Sequence, residues 1–362
     1  MDKKSIDGIE SIQSEIEDQE SIPETYEILT YPADYTLEIL VGKYNKSIIA
    51  PGFQRKFVWT ITQSSRLIES FILGLPVPPI FLYNDVKTNK YLVVDGYQRL
   101  SSICYFFEGY FGEPDTKGNR TVFSLQGLNK KSPFSGKTYQ DFLTSDETSL
   151  RRLNESVLRS FIIKQLSPEG TSSIYHIFER LNTGGTQLVG QEIRNCIYHG
   201  PFNNKLIFMN KFKEWRKILG KPIEDKRMKD VELILRFLAL YYDEKLYTKP
   251  MKIFLSDFMD RHKDDTEDEL KEYQDLIKKT TDTILAKLNE KPFHIKAGVN
   301  VAAFDSVYVI FARNMNRIPA DIKERYRKLT TDTEFLKLIG SATTDDEVVK
   351  NRIALAQKTL FG

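Results

Sequence analysis

Near the middle of the N-terminal half, an apolar run, Leu92 to Val94, ends in Asp95-Gly96, and Tyr97, Gln98 and Arg99 follow. Leu100, Ile103, Cys104 and Phe107 then recur at helical spacing. A strand therefore turns into a helix through an acid, a glycine, an amide and a guanidinium. Gly96 lets the backbone bend and admits a ligand without a Cβ in the way. The free N–H groups and positive dipole end of the helix that starts there suit a phosphate. Arg99 adds a planar, bidentate cation and Gln98 an amide donor. Asp95 is then the residue that would hold a metal ion on the phosphates or orient a hydroxyl. An Asp-Gly step at a strand end is also a plain turn, so the run by itself leaves both readings open.

A second stretch, APGFQRKFVW (50 to 59), repeats the theme: Gln54-Arg55 follows a short strand, SIIA, and a Pro-Gly turn. The two Gln-Arg pairs are predicted to close around one anion, while Phe53, Phe57 and Trp59 read as packing. Glu69 reads as a general base or, more simply, as the salt-bridge partner of one arginine. A third stretch, FERLNTGGTQLVGQEIRN (178 to 195), carries Asn182-Thr183-Gly184-Gly185 between two helical patterns. It is a phosphate-binding turn or a helix-to-helix linker. Glu192 and Arg194 fall on the polar side of the helix that follows and read as solvent-facing.

The elements that must position these groups give an α+β chain. Residues 31 to 167 alternate between periods: a helix over 62 to 74, strands at PIFLY (79 to 83), YLVVD (91 to 95) and LRSFIIKQL (158 to 166), and a polar, turn-rich insertion over 111 to 155. From 168 to 362 the period is helical almost throughout, with helices expected near 251 to 261, 268 to 288, 298 to 315 and 344 to 359. Residues 1 to 30 hold nine acids and two lysines, a net of −7 that leaves +9 for the rest of a chain whose total is +2. This stretch reads as an acidic, flexible leader, and the mildly basic remainder suits a polyanionic partner such as DNA.

Composition narrows the class further. With 362 residues, 41% hydrophobic and 28% charged, the chain has the balance of a soluble globular protein of two domains. No run reaches the roughly 18 apolar residues of a membrane helix, and the cytoplasm is the expected location. Two cysteines and four histidines, His176, His199, His262 and His294, leave little for a disulfide framework or a Cys-based zinc site.

Taken in order, PGFQRKFVW, LIESFILGLPVPPIFLY, VVDGYQRLSSI and FERLNTGGTQL-QEIRN resemble the N-terminal domain of GmrSD-type modification-dependent restriction endonucleases, within the ParB/sulfiredoxin-like superfamily. The resemblance covers residues 35 to 240. It implies a ParB/sulfiredoxin-like nucleotide-binding domain over 31 to 167, followed by a helical domain over 168 to 362. It also implies a nucleoside triphosphate and Mg²⁺ bound at the turn. By position, Asp95, Gln98 and Arg99 would do the chemistry, with Asp95 as metal ligand. Gln54, Arg55, Glu69, Gly96, Tyr97 and Asn182 to Gly185 would contact the nucleotide. Tyr97 stands where the family has Gln, and Val189 where it commonly has a capping Ser. Neither cysteine is placed for sulfiredoxin chemistry, and no close pair of histidines serves an HNH nuclease. The resemblance thus implies an NTP-hydrolysing regulatory subunit of a DNA-targeting phage-defence system, working with a separate nuclease. The alternatives are a nucleotide-gated DNA-binding module without turnover, or a metal-dependent DNA nuclease using the same turn.

Overall fold

The computed structural model describes residues 8–9, 27–49, 57–86, 88–114, 118–167, 177, 189–295 and 298–362. The chain forms two compact units, Thr25–Gln187 and Leu188–Gly362, the latter joined by Met1–Glu24. The division thus falls some twenty residues beyond the expected 167/168 boundary, and the intervening stretch, residue 177 apart, lies outside the described residues.

In the first unit the described residues form a five-stranded mixed sheet. Its strands are β1 (Glu27–Pro32), β2 (Ile48–Ile49), β3 (Ile80–Asp85), β4 (Lys90–Asp95) and β5 (Ser160–Ser167), in the spatial order β1-β5-β3-β4-β2. The β3–β4 hairpin is antiparallel, as the alternating apolar runs on either side of a polar turn predicted, while β5 runs parallel to β3. Helices α1 (Leu37–Lys43), α2 (Ile61–Leu73) and α3 (Tyr97–Glu108) share one core with the sheet. Leu67, Ile68, Phe71 and Ile72 of α2 and Leu100, Ile103, Cys104 and Phe106 of α3 are buried there. Thr60 and Gln63 form a reciprocal capping box at the start of α2, and Gly74, in the left-handed conformation at φ 71°, ends it.

Two features depart from the sequence reading. Glu27–Thr30, assigned to the acidic leader, belongs to edge strand β1, because Ile28 to Tyr31 pair with Ile162 to Gln165 of β5. Gly8–Ile9 pairs in parallel with Gly298–Val299 of the second unit; the rest of residues 1 to 26 lies outside the described residues. The 111–155 insertion is also more regular than its polarity indicated. It contains α4 (Tyr139–Ser145), opened by a Thr138–Asp141 capping box, and α5 (Glu147–Glu155), which bury Phe142 and Leu153.

The second unit is helical: α6 (Gly190–Ile197), α7 (Pro201–Met209), α8 (Lys213–Leu219), α9 (Lys229–Asp243), α10 (Met251–His262), α11 (Glu267–Lys287), α12 (Val301–Arg313), α13 (Ile322–Thr331), α14 (Thr333–Leu338) and α15 (Asp346–Phe361). Helices α9 and α12 are buried on all sides, which their nearly continuous apolar sequences require. Charges inside these helices must therefore pair. Asp305 of α12, fully buried, takes a bidentate contact from Arg236 of α9 at 3.1 and 2.5 Å and a third bond from Arg352 of α15 at 3.2 Å. Burial works against the charge on Arg236, but Asp305 outweighs it and its pKa is raised. Arg352 is pushed down to about 10, by burial first and by Arg236 as well, with Asp305 opposing.

Replacing Asp305 with Asn should therefore destabilise the protein by about 3–5 kcal/mol, because buried Arg352 loses its countercharge and buried Arg236 its bidentate partner. Urea denaturation measures this. A loss below about 1 kcal/mol, the value of an exposed pair, would mean that the arginines find other partners.

Candidate functional site

The turn between β4 and α3 is shaped by backbone irregularity on both sides of Gly96. In the β3–β4 ladder Phe81 pairs with Asp95 and Leu82 with Val93, so Val94 is an extra residue and the strand bulges just before its acid. A bulge of this kind re-aims the side chain beside it. Gly96 then adopts φ 96° and caps α3 without a side-chain hydrogen bond. A Cβ at this position would lie 2.2 Å from Cγ2 of Ile80. Only glycine satisfies both the left-handed backbone and the close approach of β3.

Within this turn the carboxylate of Asp95 accepts a hydrogen bond from Nη2 of Arg99 at 2.8 Å, and the same nitrogen donates to the carbonyl of Pro79 at 3.0 Å. The Asp95 side chain keeps 36% of its exposure and that of Arg99 18%, so the pair sits in the surface. Arg99 Nε is buried without a hydrogen-bond partner among the described residues. The guanidinium therefore retains donor capacity that the described residues do not use.

Gln98 does something the sequence reading did not assign to it. Its side-chain oxygen accepts hydrogen bonds from the backbone N–H groups of Val58 at 3.0 Å and Trp59 at 3.2 Å. It is thus a clamp that ties the chain just after Gln54-Arg55 to the first turn of α3. Gln54 and Arg55 themselves lie outside the described residues, as do Asn182, Thr183, Gly184 and Gly185. Tyr97 is half-buried and packs against the first unit's core, where burial, opposed by a bond to Ser101, raises the pKa of its hydroxyl. Behind it, the hydroxyls of Ser102 and Ser64 meet at 2.8 Å and join α3 to α2.

The carboxylate of Glu69 accepts a hydrogen bond from the Ser132 hydroxyl at 2.6 Å, and of the two arginines it was expected to serve, Arg99 is held by Asp95 and Arg55 lies outside the described residues. Ser132 stands in a turn of the 118–138 stretch, where a polar sequence gave no hint that it would reach α2. Glu192 and Arg194 do require a correction, since both are buried rather than solvent-facing. Arg194 donates to Gln191 at 2.9 Å and to Glu232 at 2.5 Å, and Glu192 pairs with Arg227 at 3.2 Å. Glu232 in turn lies 3.9 Å from Arg236, so the QEIRN segment feeds into the buried Asp305 network. The available signal was in α9, where Glu232 and Arg236 stand four apart inside an apolar run. Val189 offers no side-chain cap, but Glu192 still accepts from the Val189 N–H at 2.8 Å, keeping half of a capping box.

The described residues thus present a mixed sheet whose strand-to-helix turn carries a surface acid–guanidinium pair beside a free helix N-terminus. The sequence is similar to a known family over the part that carries this arrangement: residues 37–199 match the model described as GmrSD restriction endonuclease, N-terminal domain. Among solved structures, one titled "Structure of the pNOB8-like ParB N-domain" is similar at 11% identity with a TM-score of 0.24, over 92% of this chain and 99% of that one. No curated protein matches the sequence. No helix among the described residues is long and apolar enough to cross a membrane.

Two outcomes test the geometry. Gly96→Ala should cost about 2–4 kcal/mol, from an unfavourable positive φ and overlap with Ile80, as read by urea denaturation. Gln98→Ala should speed amide exchange at Val58 and Trp59, whereas Gln98→Glu, which keeps an acceptor oxygen, should preserve their protection.

Proposed function

We propose that the first unit binds a nucleoside triphosphate at the Asp95–Arg99 turn and hydrolyses it, as the regulatory part of a DNA-targeting restriction or phage-defence system. The observation that carries this reading is the Asp95–Arg99 pair itself. The two groups are 2.8 Å apart, partly exposed, and placed where the bulge and Gly96 aim them at the start of α3. An incoming phosphate offers Arg99 a bidentate acceptor that one carboxylate oxygen and a carbonyl do not. The guanidinium then leaves Asp95 with a free carboxylate, and the unused Nε donor gains a partner.

Residues available to Mg²⁺ fit its habits: it is commonly held by one or two carboxylates plus substrate oxygens, and Asp95 is such a carboxylate. Bound there, the ion would neutralise phosphate charge. Gln54, Arg55, Tyr97 and Asn182 to Gly185 are the further contacts that the family resemblance assigns. Gln98 holds residues 58 and 59, and so acts on the site by positioning the chain that follows Arg55. In this reading DNA cleavage falls to a separate nuclease subunit, the partner that the family resemblance implies.

A second reading, nucleotide-gated DNA binding without turnover, is favoured by a different observation. Among the described residues no group of three or more acids, histidines or cysteines could hold a metal, so Asp95 is not part of a ready-made protein cage for one.

A thermal-unfolding screen of nucleoside triphosphates with Mg²⁺ tests binding. One of them at a hundred times its Kd should add about 2.7 kcal/mol of stability, and Arg99→Gln should remove that gain. Phosphate release, abolished by Asp95→Ala, supports hydrolysis. A nucleotide-dependent shift with no phosphate released, with or without DNA, supports the second reading instead. The absence of any shift overturns both.

A further inference from the structure

In the second unit, the turn from α7 into α8 and the facing side of α11 enclose a cavity of about 330 Å³. Lys211, Lys213 and Lys278 stand around it, with Phe212 and the buried Trp215 among its apolar lining, and Gln274, Thr281 and Glu214 completing it. The three lysines have no ion-pair partner among the described residues, and the single acid, Glu214, leaves the lining with a positive excess. Beside it Phe208 is 51% exposed and meets Phe212 edge-on, with ring centroids 5.4 Å apart. Lys205, paired to Glu267 at 2.9 Å, places its ammonium 5.9 Å from the Phe208 ring.

Phe208, half exposed among lysines, leaves about half of its apolar surface in water. Its free face and the adjoining cavity need an occupant that is flat and apolar in one part and anionic in another. A bare phosphate would leave both aromatic rings uncovered, and a space of this size is at the lower end of those that hold small organic groups. A nucleotide unit has both parts: a base with a π-face and a phosphodiester charge beside it. In a duplex the base faces are stacked inside and out of reach of Phe208, whereas an unpaired strand offers them.

We infer that the α7–α8 turn and α11 form a docking surface for single-stranded DNA. Phe208 and Phe212 stack on bases, and Lys211, Lys213 and Lys278 meet the backbone phosphates. The choice of DNA over RNA rests on the DNA-directed function proposed above; the surface itself shares no residue with the Asp95 turn.

Fluorescence anisotropy of the full-length protein with a labelled 20-nucleotide DNA strand, the same sequence as duplex, and the matching RNA tests this. The single DNA strand should bind most tightly. The triple variant Lys211→Gln, Lys213→Gln, Lys278→Gln should flatten the slope of log affinity against log salt by about 2, at roughly 0.7 per phosphate contact. A control triple variant at the exposed lysines 323, 337 and 350 should leave the slope near that of the wild type. Phe208→Ala, at a surface position, should weaken single-strand binding about tenfold and duplex binding little. No binding by the wild type, an unchanged slope in the first triple variant, indifference to Phe208→Ala, or tighter binding of RNA overturns the inference. The nucleotide thermal shift of the same variants separates the two sites. Lysine-dependent DNA binding in a protein that shows no nucleotide shift upholds this surface and removes the Asp95 reading alone.

Discussion

The contact between Asp95 and Arg99 is weak by the standards of protein ion pairs, and the reading of the first unit depends on that weakness. Both partners keep solvent exposure, and pairs of this kind contribute roughly 0–1 kcal/mol. Their arrangement is maintained by the backbone: the bulge at Val94, the positive φ of Gly96, and Ile80 pressed against the space a Cβ would fill. A rigid turn thus presents a loosely held acid and guanidinium. In the function proposed for this unit, a phosphate displaces the carboxylate at small cost without moving the strand or the helix.

The second unit handles charge in the opposite way. Arg194, Glu232, Arg236, Asp305 and Arg352 are all buried, and each has at least one charged partner in the chain that links α6, α9, α12 and α15. Removing one member leaves its neighbours uncompensated in low dielectric. These groups have little exposed surface with which to exchange partners, so the network specifies how the helices pack rather than serving as a site. The lysines around the α8–α11 cavity lie outside this network, which is why they remain available to an external anion.

Much of the architecture was legible in the order of residues. Apolar runs at 79–83 and 91–95 around a polar turn, helical spacing over 62–74 and after Gly96, and Gly74 as a stop signal led to β3, β4, α2 and α3, because these patterns reflect which face each element buries. The 111–155 insertion was not legible as helix: its apolar residues are sparse, and Phe142 and Leu153 reach the core from helices of only seven and nine residues. Edge strand β1 was obscured by the acids that precede it, since five of its six residues, all but Tyr31, face solvent and give no alternation. The polar groups of the turn were visible as types and spacing, yet their partners were not.

By itself, then, the sequence determined the α+β order, the glycine-permitted bend at residue 96, and the identity of the groups gathered after it, since these depend on neighbours a few positions away. Only the tertiary structure decided the pairings. Gln98 binds the backbone forty residues earlier, Glu69 goes to Ser132 instead of Arg99, and Arg194 is sealed against Glu232. A polar side chain can satisfy its hydrogen bonds with any nearby donor or acceptor. Local pattern fixes what it is able to bond, and only the packed fold supplies which partner comes within 3 Å.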